Sequence, residues 1–286
     1  VATSDSSHHV NRVTRYYVRN TQKFLRFGEN DAYPAIHIAL WPAGTETVEA
    51  ALAVAHALIA DAIEDHPGRV RRVVDLGCGM GAALHHMAER LDADVVLEGL
   101  TLGTPPPRLT AHIQSGRVRI QQADFHQAHA VIDSSSVAFS IEAMAHSDDV
   151  EAFFRSASRL LEPGGALMIM DDFAASEAVP SRWLRTYRAH WLVPGVRPLC
   201  EVERIAARHG FEMVGNQDLT PWIRLGRPRD RLLRWTRPLW GWLCRWSDYA
   251  KSLSGGDARQ RCLEAGETHF RFVQFRRSEG EADGPR

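Results

Sequence analysis

The chain has 286 residues, room for one large domain or two small ones. A chain of this size buries roughly 75% of its unfolded surface, so it needs neither disulfides nor a structural metal to fold. Apolar residues make up 44% and charged ones 24%, and the formal net charge of −1 provides no basic footprint for nucleic acid.

Taken in order, the Ser- and His-rich residues 1–10 read as disordered. Asn11 to Phe27 mixes aromatic and basic residues as an amphipathic helix does, and Gly28 to Pro34 breaks it. Thr45 to Ile63 is a second helix, with Glu46 and Glu49 in its first turn and Pro67-Gly68 after it. From Val70 short apolar runs alternate with helical stretches. Strands are expected at Val70–Leu76, Asp94–Leu97, Val118–Gln121, Val137–Ile141 and Ala166–Met170, with helices at Ala82–Leu91 and Val150–Leu161. That alternation predicts an α/β fold, a parallel sheet with helices on both faces. Helices Ser181–His190 and Glu201–His209 follow, then strands Phe211–Val214 and Thr268–Phe275, seven strands in all, and no internal repeat.

The strongest local signal is VVDLGCGMG, Val73 to Gly81. An apolar strand ends beside Asp75, and Gly77, Cys78, Gly79 and Gly81 make a tight turn into a helix. Glycines there permit positive φ and close approach of a ligand at the carboxyl end of the first strand. Alone, such a turn is equally a dinucleotide loop or a structural bend. Three later segments distinguish these: RIQQADF (Arg119 to Phe125), SIEAMAH (Ser140 to His146), and LLEPGG followed by ALMIM, Asp171 and Asp172.

Over Val70 to Asp172 the chain resembles the class I S-adenosylmethionine-dependent methyltransferases. GLTLG (Gly99 to Gly103) resembles a segment of the branch that holds cyclopropane-fatty-acid synthases and sterol C-methyltransferases. RYYVRNTQKFLRFG and AIHIALW (Ala35 to Trp41) resemble the lid of sterol and geranyl diphosphate C-methyltransferases. The resemblance implies a Rossmann-like seven-stranded sheet over 67–286, a helical lid over 11–66, and cap segments near 174–200 and 221–265. It implies that S-adenosylmethionine is held by Asp75, Gly77, Cys78 and Gly79, then Thr101 and Leu102, Asp124 and Phe125, and Ile141. The acid that usually closes the second strand is displaced, because Glu98 comes early and Pro105-Pro106-Pro107 stands where a Gln is usual.

The resemblance also implies methyl transfer. An alkene acceptor would become a carbocation, which calls for aromatic faces or a carboxylate and then a base. Glu142 is the candidate base, and the plainer alternative is a helix cap or a cofactor ligand. His146 is a second acid-base group or an exposed loop histidine. Tyr16 and Tyr17 are pocket residues or lid packing. His37, Trp41, Trp183 and Tyr187 are candidate substrate contacts.

Pro221 to Trp246 holds five of the eight tryptophans and seven arginines against one acid, Asp230. Of the 34 basic residues only Lys23 and Lys251 are lysine. A GC-rich genome produces such a bias, and so does use of planar forks for anions. The stretch reads as a cap or oligomer contact, then as a diphosphate clamp through Arg231, Arg234 and Trp235, and last as a membrane-surface helix, with membrane association not expected. The expected partner is a small apolar molecule with an anionic head, and a homo-oligomer is compatible with the pattern. No protein metal site is expected, and Mg²⁺ would arrive only with a diphosphate.

With four scattered cysteines lacking CxxC spacing, no visible apolar leader and no apolar run of roughly 18 residues, a cytoplasmic, reduced protein is the default expectation. The reading is a C-methyltransferase of an isoprenoid, most specifically of a prenyl diphosphate alkene. O- or N-methylation of a small natural product is the first alternative. A non-catalytic cofactor-binding scaffold or a cyclase is the second.

Overall fold

The computed structural model describes residues 8–16, 35–103 and 117–279. Seven strands form one sheet: β1 (Arg72–Leu76), β2 (Val96–Thr101), β3 (Val118–Gln122), β4 (Ser135–Ile141), β5 (Leu161–Ala174), β6 (Phe211–Asp218) and β7 (Thr268–Arg277). Their order is β3-β2-β1-β4-β5-β7-β6. The first five run parallel, but β7 is antiparallel to both β5 and β6, so the sheet is mixed rather than all parallel. β7 slots between β5 and β6, and Asp172 faces Phe270 across the ladder.

The apolar runs are near-continuous because both faces of the sheet are covered. Alternate residues take opposite sides. Val74, Ala138, Leu167 and Ile169 join Phe153, Phe154, Phe211 and Phe275 on one face. Val73, Phe139, Met168 and Met170 join Ile59, Ile63, Leu84 and Phe272 on the other. Helix Val48–Glu64 supplies Ile59 and Ile63, and the Thr47 side chain caps its first turn by accepting from Ala50 N. This helix is therefore part of the sheet's own core, and a lid over 11–66 does not extend to it.

Two further boundaries differ from expectation. Residues 8–16 are helical, so 8–10 are not disordered; 1–7 lie outside the described residues. β2 is displaced toward its carboxyl end, which puts Glu98 opposite Val74 in mid-strand. Its carboxylate, 2.9 Å from Arg72 Nε, is buried in an ion pair. Glu98 thus braces β1 against β2 and does not reach the strand's end.

A third apolar cluster builds a layer above the carboxyl ends of the strands. It joins Leu184 and Tyr187 of helix Arg182–Trp191, Ala258 and Cys262 of helix Asp248–Glu264, and Ala145, Val193 and Val196. Ser181 caps the first of these helices and donates to Glu267 Oε2 at 2.6 Å, tying it to the start of β7.

Candidate active site

The sheet's winding reverses between β1 and β4, and open α/β sheets bind ligands at such a point. Each expected cofactor residue lies at that rim: Gly77 follows β1, Thr101 ends β2, Asp124 follows β3 by two residues, and Ile141 ends β4. Gly77 has φ +114, and a Cβ there would stand 2.4 Å from that of Ala143. Glycine is thus required both for the backbone conformation and for the close approach. Gly79 has φ +52 with open space where a Cβ would be. Cys78 is buried against Gly99.

The same rim tests whether the residues fit S-adenosylmethionine. Burial alone pushes the Asp75 carboxyl well above the usual carboxylate range, with no donor offsetting it. A buried carboxyl above an open glycine turn suits a cationic amino group, which is what the methionine end of the cofactor carries. Asp124 is half-buried; burial raises its carboxyl, but hydrogen bonding and the charge of His126 outweigh that and lower it. Phe125 and Phe153 meet edge to face with centroids 5.4 Å apart, and Phe125 is partly buried against the core cluster of that face. Leu102 is partly exposed just beyond β2.

Beside this rim opens a cavity of about 380 Å³. Its walls come from Tyr16, the segment 36–41, Glu142 to His146, helix Arg182–Trp191, residues 223–233 and helix Asp248–Glu264. Glu142 stands at the junction, since the Ala143 that Gly77 abuts is its neighbour. It has φ +48, a strained value for a residue with a side chain. Its amide donates to Met170 O at 2.8 Å, and its Oε1 accepts from Arg259 Nη2 at 2.7 Å.

Arg259 organises the cavity floor. It is buried, and its Nε lies 2.6 Å from Asp172 Oδ2, which also accepts from the Tyr187 hydroxyl at 2.6 Å. Burial opposes the charge of Arg259, yet Asp172 and Glu142 hold the guanidinium firmly protonated. Asp171 is pushed well above the usual range, first by burial. It accepts from the Ala145 amide at 2.9 Å.

His146 is not an exposed loop residue. Its Nδ1 donates to Leu192 O at 2.9 Å, and burial lowers its pKa to about 4. It is therefore a neutral imidazole with one fixed tautomer. Burial pushes the Tyr16 phenol up to about 12, against a hydrogen bond with Ser252. His37 lines the cavity and meets His56 at 2.9 Å between their Nε2 atoms. Trp41 lies under the Arg224 guanidinium, 3.5 Å from ring centroid to Cζ. Tyr17 lies outside the described residues.

Four expected substrate contacts do not line the cavity. Trp183 packs among the guanidiniums of Arg182, Arg237 and Arg261. Arg234 is held by Asp257 at 2.9 Å and by Glu264. Trp235 is 80% exposed, and Arg231 also faces outward. The stretch does reach the cavity, but with Arg224, Arg227, Arg229, Asp230 and Leu233. Helical phase explains the exchange: Asp230 and Leu233 share the inward face and Arg231 and Trp235 the outward one. Sequence reading missed Arg259 entirely, since it lies 117 residues from Glu142. Among the described residues no group of three His, Cys, Asp or Glu side chains could hold a metal ion.

The comparisons with known proteins agree with this geometry. A family model described as a methyltransferase domain matches residues 45–216. An O-methyltransferase of Pyrenophora dematioidea is 24% identical over 201 residues, 66% of this chain and 72% of that protein. A 24-methylenesterol C-methyltransferase 2 of Arabidopsis thaliana is 25% identical over 204 residues, 66% of this chain, which spans about half (52%) of that enzyme. Among solved structures, geranyl diphosphate C-methyltransferase from Streptomyces coelicolor A3(2), in complex with Mg²⁺, geranyl diphosphate and S-adenosyl-L-homocysteine, superposes with a TM-score of 0.68 at 18% identity, covering 96% of this chain and 98% of that one. The chain belongs to the methyltransferase-domain family, the class I S-adenosylmethionine-dependent methyltransferases.

Proposed function

We propose that the protein C-methylates an isoprenoid, most specifically the alkene of a prenyl diphosphate. The observation that carries this reading is the composition of the cavity's lining. Glu142 and the aromatic rings of Tyr16, Tyr187 and Trp191 share it with Arg224, Arg227 and Arg229. An apolar chain with an anionic head matches that mixture of aromatic and guanidinium groups.

The cofactor, when bound, supplies a methyl group on a sulfonium. Asp75 and the glycine turn would hold its amino-acid end, with Thr101, Leu102, Asp124, Phe125 and Ile141 along the rest. As one alkene carbon took the methyl group, the neighbouring alkene carbon would become cationic, and the aromatic faces of Tyr16, Tyr187 and Trp191 would stabilise that charge. Glu142 Oε1 accepts from Arg259, which leaves Oε2 to take the proton whose loss restores the double bond. His146, neutral with Nδ1 engaged, is the second group that could orient the acceptor. Mg²⁺ would enter bound to the diphosphate.

Incubation with labelled S-adenosylmethionine and isopentenyl, geranyl or farnesyl diphosphate is expected to give a methylated prenyl product. The Glu142→Gln variant should lose about 10²–10⁴ in rate. Transfer to a phenol or amine instead, with near-normal rate in that variant, would establish the O- or N-methyltransferase reading and overturn this one.

A further inference from the structure

The outer face of helix Pro228–Trp240 and of the turn after it carries an apolar stripe that stands exposed among the described residues. Leu232, Trp235, Leu239, Trp242 and Trp246 recur at intervals of three and four, the spacing of a single helical face. Trp235 is 80%, Leu239 76% and Trp246 73% exposed. Trp242 and Trp246 meet edge to face at 5.8 Å, so the stripe is a preformed ridge and not a set of loose side chains. Single exposed hydrophobics need no explanation, but a contiguous ridge of this kind marks an interaction surface.

Its rim is of one charge. No Asp or Glu occurs between Asp230 and Asp248, while Arg231 and Arg245 stand exposed beside the ridge. The acids of the neighbouring helix are already engaged: Asp257 by Arg234 and Arg237, Glu264 by Arg234, and Asp248, at the start of that helix, by Lys251 at 3.4 Å. A second copy docked ridge to ridge about a two-fold axis would bring two arginine rims together, with no acid from the stretch 231–247 of either copy to offset them. An anionic lipid surface offers the opposite charge to the rim and an apolar layer to the tryptophans, whose rings favour that boundary. No helix among the described residues is long and apolar enough to cross a membrane, so the contact would be peripheral.

We infer that this ridge docks the protein on anionic lipid headgroups, against the sequence expectation of no membrane association. The inward face of the same helix presents Asp230 and Leu233 to the cavity, so docking would set the cavity wall at the lipid boundary, where an apolar acceptor is concentrated.

The test is co-sedimentation of the full chain with phosphatidylcholine vesicles made with and without phosphatidylglycerol. Binding is expected only with phosphatidylglycerol, weakening with salt. A Trp235→Ser, Leu239→Ser, Trp242→Ser variant should lose it by about tenfold or more, while its Tm and S-adenosyl-L-homocysteine binding stay unchanged. An Arg231→Glu, Arg245→Glu variant should lose it without touching the ridge. Absence of binding by the unsubstituted chain, binding that either variant leaves intact, or a dimer that the ridge variant dissolves in place of vesicle binding would each overturn the inference.

Discussion

His146 shows how burial rewrites a residue's chemistry. Its ordinary value of 6.5 falls to about 4 because the charged ring would be desolvated. The unfolded chain therefore binds this proton more readily than the folded one. The stability that results is fully present above pH 6.5 and is lost as pH falls toward 4, roughly 3 kcal/mol at most. A His146→Asn variant should flatten the pH dependence of Tm across that window, and an unchanged slope would refute the assignment. The neutral ring is also unsuited to act as an acid near neutral pH. Sequence could single out His146 by its place after the fourth strand, but not its tautomer, which the Leu192 carbonyl decides from 46 positions away. Glu142 was readable in the same segment, whereas its left-handed backbone and its Arg259 partner were not.

Helix Asp248–Glu264 runs through Gly255 and Gly256, residues that cost a helix up to about 1 kcal/mol each relative to Ala. The structure supplies the reason. A Cβ at Gly255 would stand 2.1 Å from Trp191 Cδ1, and the indole Nε1 donates to Ser252 O at 2.8 Å. The glycines let helix Arg182–Trp191 lay its last tryptophan directly on the backbone of its neighbour. Gly255→Ala should therefore destabilise by about 1–3 kcal/mol despite its better helix propensity. Chemical denaturation measures this, and a gain in stability would contradict it. The expected strands and helices from Val70 to Leu161 were legible because alternation and glycine punctuation are local. The phase of helix Pro228–Trp240 was not: its arginines and tryptophans surround the axis, so composition could not say which of them face the cavity.

Across the molecule, Arg259 is the clasp between the helical layer and the sheet. From helix Asp248–Glu264 it reaches Glu142 after β4 and Asp172 in β5. Arg259→Met would leave two carboxylates without their partner and should cost about 3–5 kcal/mol, with Arg259→Lys recovering part of it. Thermal denaturation reads both, and a loss below about 1 kcal/mol for Arg259→Met would show that the clasp is dispensable. The architecture follows from periodicity: short apolar runs between amphipathic helices, and a glycine turn after the first strand, suffice for a doubly wound sheet and a cofactor rim at its switch point, because each signal lies within a few residues of the structure it specifies. The antiparallel insertion of β7, the ion pair that removes Glu98 from the rim, the exchange of Arg231, Arg234 and Trp235 for Arg224, Arg227 and Arg229, and the Glu142–Arg259–Asp172 floor could not be read that way. Each joins residues far apart in the chain, and burial and charge pairing act on neighbours in space, whatever their distance in sequence.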